Sequence, residues 1–151
     1  MSQRATLTNL VDTTAVRLAG SIERLSRLFV ARSELGLSRT EVNVLFEVAT
    51  HPRRVTELAA RERVTQPAIT LLVNRLEAQR WVERRRDPID GRAVLVAVTP
   101  TGEDVIAKVR AEYMALLHQH LADLSDADSR TLMRTAEIFE GLLDQLADRD
   151  D

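Results

Sequence analysis

The feature that most constrains this 151-residue chain is a pair of short helical segments almost touching in sequence, "VTELAARE" (55–62) and "QPAITLLVNRLEAQ" (66–79). The first offers Val55, Leu58 and Ala59 as a small apolar face. The second offers Ile69, Leu72, Val73 and Leu76 at helical spacing. Thr65 is placed to cap the second segment, and Pro67 falls in its first turn, where a missing N–H is harmless. Two helices joined by so few residues, the second opening on small polar side chains, form a helix-turn-helix pattern.

A different signal follows. "WVERRR" (81–86) and "RAVLVAV" (92–98) are short and valine-rich, and "DPIDG" between them supplies turn residues. They predict a two-stranded hairpin, the only strand signal in the chain. Thr99 then caps, and Pro100 takes the first position of a helix reaching about residue 122. "LSDAD" (124–128) breaks it, Ser125 caps again, and a last helix runs to about Ala147. Upstream, residues 6–33 carry one apolar stripe, and Gly36 is a plausible stop. "SRTE" (38–41) has capping-box spacing and opens a helix with Val42, Leu45, Phe46 and Val48 inward, ended by His51-Pro52.

Charge is unevenly placed. The net value of −2 hides a basic middle, with 10 Arg against 6 acids over 53–92, and an acidic end, with 5 basic against 12 acidic residues over 99–151. Such asymmetry points one face toward an anion. Aromatics make up only 3%, so the core must be aliphatic, and the lack of cysteine excludes disulfides, thiolate metal sites and thiol redox sensing. No signal peptide or membrane span is read, so a cytoplasmic location is expected. No nucleophile–base set, phosphate loop or carboxylate pair suggests catalysis, and no cofactor is expected. His118 and His120 are two apart, which on a helix turns them about 200° from each other. They make no metal pair. The tail carboxylates Asp144, Asp148, Asp150 and Asp151 read as a solubilising end.

Long apolar-striped helices at both ends exceed what a small central unit can cover, which predicts a homodimer. Its interface would hold Leu7, Leu10, Val11, Phe139, Leu142, Leu143 and Leu146.

In its order of elements the chain resembles the MarR-type winged helix-turn-helix transcription regulators. "VTELAARERVTQPAITLLVNRLEAQRWVERR" (55–85) resembles their helix-turn-helix, including the triplet Arg75 to Glu77. "DPIDGRAVLVAVTPTG" (87–102) resembles their wing signature, here Asp90-Gly91-Arg92 followed by Val98-Thr99-Pro100-Thr101-Gly102. The resemblance implies a mainly α fold, one domain over 1–151. Residues of about 38–99 would form the winged helix-turn-helix, and about 1–35 with 100–151 the dimerisation region. It also implies a ligand-responsive DNA-binding regulator, commonly a repressor, that binds a palindromic operator as a homodimer. A small aromatic or phenolic effector is implied too. By position, its pocket would involve Phe29, Arg32, His51, Tyr113 and Leu117. Three departures stand out: Leu71 where a polar residue is common, Arg80 where helices end on glycine, and Ile89 where wings often carry arginine.

With Ile69, Leu72 and Leu76 inward, Gln66, Pro67, Thr70, Leu71 and Asn74 face outward. Gln and Asn can pair with adenine, and the apolar atoms can meet a thymine methyl, so an A·T-rich operator is expected. Thr65 would bring helix N-terminal amides to a phosphate, and Arg75 either touches phosphate or braces Glu77. In the hairpin, Arg84 and Arg86 share a face on the phosphate side, and Arg92 enters a narrow minor groove with Asp90 holding its guanidinium. The rival readings are a winged interaction module and a small-molecule-binding dimer, neither with specific DNA binding. The outward set on 66–79 and Arg92 favour the first reading over both.

Overall fold

The computed structural model describes the backbone of residues 2–147 and the side chains of residues 9–146. Along it run α1 (Ser2–Arg32), α2 (Arg39–Thr50), β1 (Arg53–Arg54), α3 (Val55–Glu62), α4 (Gln66–Ala78), β2 (Val82–Arg86), β3 (Val94–Val98), α5 (Pro100–Leu121) and α6 (Asp126–Ala147). The chain divides into two compact units, one up to Glu112 and one from Tyr113 onward, with α5 crossing the boundary.

In the first unit the core is aliphatic. Val44, Ile69, Val73 and Val96 are wholly buried, with Leu45, Leu58, Leu76, Val82 and Val109 around them, and no polar side chain is buried among the described residues. Each such side chain contributes about 1.5–3 kcal/mol by leaving water. The inward face of α4 is the one the apolar spacing predicts, whereas α2 also buries Val44 and leaves Phe46 half-buried, and in α3 Val55 is half-buried beside buried Leu58 and Ala59.

The sheet has three strands, not two. β1 pairs antiparallel with β3 (Arg53 opposite Val96, Arg54 opposite Leu95), and β2 pairs with the other edge of β3 (Arg84 opposite Val96). Two arginines after a proline have no alternation to betray a strand. Their extended form comes from the free edge of β3, and His51 before Pro52 is already extended (φ −150°, ψ 141°).

Caps set the helix starts. The Ser38 side chain accepts from the Glu41 amide, while the Glu41 carboxylate accepts from the Ser38 amide at 2.9 Å. Thr65 Oγ1 accepts from the Ala68 amide at 3.4 Å. Thr99 Oγ1 accepts from the Gly102 amide at 3.1 Å and donates to the Arg80 carbonyl at 2.5 Å. This joint explains "TPTG": a Cβ on Gly102 would lie 2.0 Å from the Trp81 carbonyl oxygen, so only glycine lets α5 start against the end of α4.

α4 ends on an arginine in the left-handed conformation. The Arg80 amide donates to Glu77 and the Trp81 amide to Leu76, the Schellman pattern, with Arg80 at φ 62°. The departure from glycine is therefore real, and it costs on the order of 1 kcal/mol. Arg63, just past α3, is left-handed as well (φ 54°).

α1 leaves Leu10, Val11, Val16, Ile22, Leu25 and Leu28 exposed. In the second unit, Ser125 Oγ accepts from the Asp128 amide at 3.2 Å and opens α6. That helix exposes Leu132, Met133, Ile138, Leu142, Leu143 and Leu146, with Phe139 half-buried. Leu7 lies outside the described side chains, and Asp148, Asp150 and Asp151 lie outside the described residues. No helix among the described residues is long and apolar enough to cross a membrane.

Candidate nucleic-acid interface

The outer face of α4 carries the residues its period predicts. Gln66, Pro67, Leu71, Asn74 and Arg75 are exposed and Thr70 is half-exposed, while Ile69, Leu72, Val73 and Leu76 hold the opposite face in the core. Leu71 is 66% exposed, the one large apolar side chain on this outer face. Thr70 commits its hydroxyl proton to the Gln66 carbonyl at 2.8 Å, which leaves its oxygen as an acceptor. Thr65 stands at the N-cap, where amides and the helix dipole favour an anion.

Two contacts differ from the sequence expectation. Arg75 does not brace Glu77: its guanidinium lies 3.5 Å from Glu41 Oε1, across to α2. Glu77 instead pairs with Arg84 from β2. Arg84 Nη2 also donates to Asn74 Oδ1 at 2.7 Å. Arg84 is thus turned onto α4 instead of standing free on a phosphate side. The two-residue strand period is the reason: Arg84 shares a face with buried Val82, which packs against the helix. Arg86, on the same face but farther out, is exposed, as is Arg85.

The turn is organised by its aspartates. Asp87 Oδ1 accepts from the amides of Ile89 (2.9 Å) and Asp90 (3.3 Å), and the Ala93 amide closes onto the Asp90 carbonyl at 2.8 Å. Asp90 does not hold the Arg92 guanidinium. Its Oδ1 accepts from the Arg92 backbone amide at 3.2 Å, and its Oδ2 lies 3.5 Å from Arg54 Nη2. The same Arg54 nitrogen meets Asp87 Oδ2 at 2.9 Å. An arginine of β1 therefore neutralises both acids of the turn, and this leaves Arg92 exposed and uncommitted at the tip. The Arg54 hydrogen bond, with the Ile89 and Asp90 amides, holds the Asp87 carboxyl below the usual carboxylate range. Arg54 is raised in turn, chiefly by its bond to Asp87. Sequence reading missed this role because nothing in "PRR" marks one arginine as a clamp for residues 33 positions away. Ile89 is 96% exposed at the tip.

Comparison with known proteins places this arrangement. Residues 35–93 match the model of the MarR family. Over 88 residues the chain is 34% identical to an HTH-type transcriptional regulator of Mycobacterium tuberculosis, a match covering 58% of this chain and 62% of that protein. The transcriptional regulator BldR of Sulfolobus solfataricus is 31% identical, with 97% of this chain and 99% of that one aligned at a TM-score of 0.59. A mutant MarR from E. coli superposes with a TM-score of 0.68 at 26% identity, over 82% of this chain and 93% of that one. The chain belongs to the MarR family. Its fold is the family's winged helix, with α3 and α4 as the helix-turn-helix and β2–β3 as the wing.

Within this MarR-family chain the residues proposed for an effector are divided. Phe29, Arg32 and His51 belong to the first unit, and Tyr113 and Leu117 to the second. Phe29 and Tyr113 are half-buried, and Arg32, His51 and Leu117 are exposed. A cavity of about 380 Å³ lies elsewhere, where the α1–α2 loop (Leu35, Leu37) meets the end of α4 (Arg75, Gln79) and Trp81. None of the five lines it.

Proposed function

We propose that the chain is a DNA-binding transcription regulator without enzyme activity, a repressor that binds a palindromic operator as a homodimer and releases it to a small aromatic or phenolic effector. The observation that carries the reading is one juxtaposition. An exposed helix face of neutral hydrogen-bonding and apolar side chains (Gln66, Leu71, Asn74, with Thr70 half-exposed) stands beside a hairpin whose exposed Arg85, Arg86 and Arg92 outnumber Glu83, its one exposed acid not bound to Arg54. A helix of this width fits the major groove, where amide side chains read base edges. Arg92 suits the enhanced negative potential of a narrow minor groove. Homodimerisation is supported by the apolar side chains exposed along α1 and α6, which need a covering surface. A two-fold dimer on B-DNA reads half-sites about 34–36 Å apart, hence a palindrome.

The test is fluorescence anisotropy with duplexes from the region flanking the gene, at stated salt concentrations, against scrambled duplexes. Preference for one site by roughly a thousandfold or more supports the reading. Equal, weak binding to every duplex would overturn it.

A further inference from the structure

Arg84 stands where the wing leaves the recognition helix, with about 29% of its side chain exposed. Its Nη1 pairs with Glu77 and its Nη2 donates to Asn74 Oδ1 at 2.7 Å. Asn74 and Glu77 are three residues apart and so neighbours on the helix surface. One guanidinium grips both. An asparagine amide has an acceptor end and a donor end, whereas a guanidinium has donors only. The amide must therefore meet Arg84 with its oxygen, and no other protein group among the described residues takes its nitrogen.

We propose that Arg84 is a specificity-positioning residue, fixing the Asn74 amide so that α4 presents a donor to the groove and selects a major-groove acceptor there, guanine or thymine over adenine. The proposal rests on α4 being the major-groove helix. Adenine is read by an asparagine that accepts from N6 while donating to N7, which requires Oδ1 to face the base. Here Oδ1 faces the wing. Guanine offers N7 and O6 side by side as acceptors and thymine offers O4, whereas adenine's one acceptor, N7, stands beside its N6 amine, a donor that opposes the free N–H₂. The A·T-rich expectation for α4 is thereby altered at one position, and a residue outside the helix alters it. Glu77 has a part as well: it holds the guanidinium from the other side, so Arg84 cannot swing out to phosphate without leaving a carboxylate unpaired.

The experiment selects an operator from a random duplex pool with the wild-type dimer. It then measures binding to the four variants at the base pair whose preference disappears in Asn74→Ala. Wild type should prefer guanine or thymine over adenine by about fivefold or more, the lower range for one side-chain–base contact. Arg84→Met, which keeps the stem and loses the donors, should erase that preference or turn it toward adenine. Arg84→Lys, still a donor, should retain it. Arg84→Met should add nothing to the base preference of Asn74→Ala. Asn74→Asp keeps the bond to Arg84 but has no donor, so it should lose the preference while melting like wild type. Three results overturn the proposal: wild-type preference for adenine, retained preference in Asn74→Asp, or uniform weakening of all four duplexes by Arg84→Met. If wild type selects no sequence at all, the major-groove reading of α4 fails first and this proposal falls with it.

Discussion

The outer face of α4 and the wing handle charge in opposite ways. On α4 the side chains turned outward are neutral, apart from Arg75, which leans toward Glu41. On the wing Arg85, Arg86 and Arg92 stand outward against one exposed acid of β2, Glu83, and both acids of the turn are bound to Arg54. A neutral amide acts through its orientation, so α4 depends on what holds Asn74. A guanidinium at a groove acts through its charge, so the wing depends on how many cations stay uncommitted. In the proposed function, selection therefore falls to the helix and positioning to the hairpin, and the two meet at Arg84.

The largest effect expected removes both at once. Gly102→Ala places a Cβ 2.0 Å from the Trp81 carbonyl oxygen, at the joint between α4, β2 and α5. A loss of about 3 kcal/mol is expected, at the upper end of overpacking costs, and a thermal melt checks it. Selection and positioning should fail together. An unchanged melting temperature would show that the joint is looser than the structure has it.

Arg54→Met separates the two. It removes the clamp from Asp87 and Asp90 and leaves two free carboxylates beside the tip. Binding should weaken on the order of tenfold, mainly in association rate and salt dependence, with base preference unchanged. Stopped-flow association at two salt concentrations reads both.

Acid loosens the same clamp more gently. The Asp87 carboxyl is held below its ordinary value, so its contribution to stability is complete above the unfolded carboxylate pKa of about 3.9 and is lost as pH falls through the lower folded value. The stability difference between wild type and Asp87→Asn should therefore be constant above about pH 5 and shrink below about pH 4. Chemical denaturation across that range checks the sign. A difference that grows as pH falls would contradict it.

The smallest effect concerns neither surface. Arg80→Gly relieves a left-handed arginine at the end of α4 and should stabilise the chain by about 1 kcal/mol with DNA binding unaltered.

What the sequence made legible follows from locality. Caps such as Ser38, Thr65, Thr99 and Ser125, the buried face of α4, and the hairpin are all written within one or two turns of chain, and the structure has them where the spacing puts them. The misses are contacts across long separations. β1 is two residues that become a strand only because β3 has an edge to offer. Arg54, 33 residues from Asp87, carries the bracing role that spacing assigned to the Asp90–Arg92 pair. Strand alternation correctly puts Arg84 and Arg86 on one face, but which face packs on α4 is a tertiary fact, and that face includes Arg84. Arg75 could be placed outward but not paired, since Glu41 belongs to another helix.

The division between selection and positioning is most directly tested by crossing two variants with two readouts. Asn74→Ala and Arg92→Ala are each measured against a panel of single-base operator variants and across a salt series. The account predicts that Asn74→Ala flattens preference at one base pair and leaves the salt slope unchanged. Arg92→Ala should weaken every duplex alike and lower the slope by about 1. If Arg92→Ala reshapes base preference, or Asn74→Ala changes the salt slope as much as Arg92→Ala does, the division is wrong.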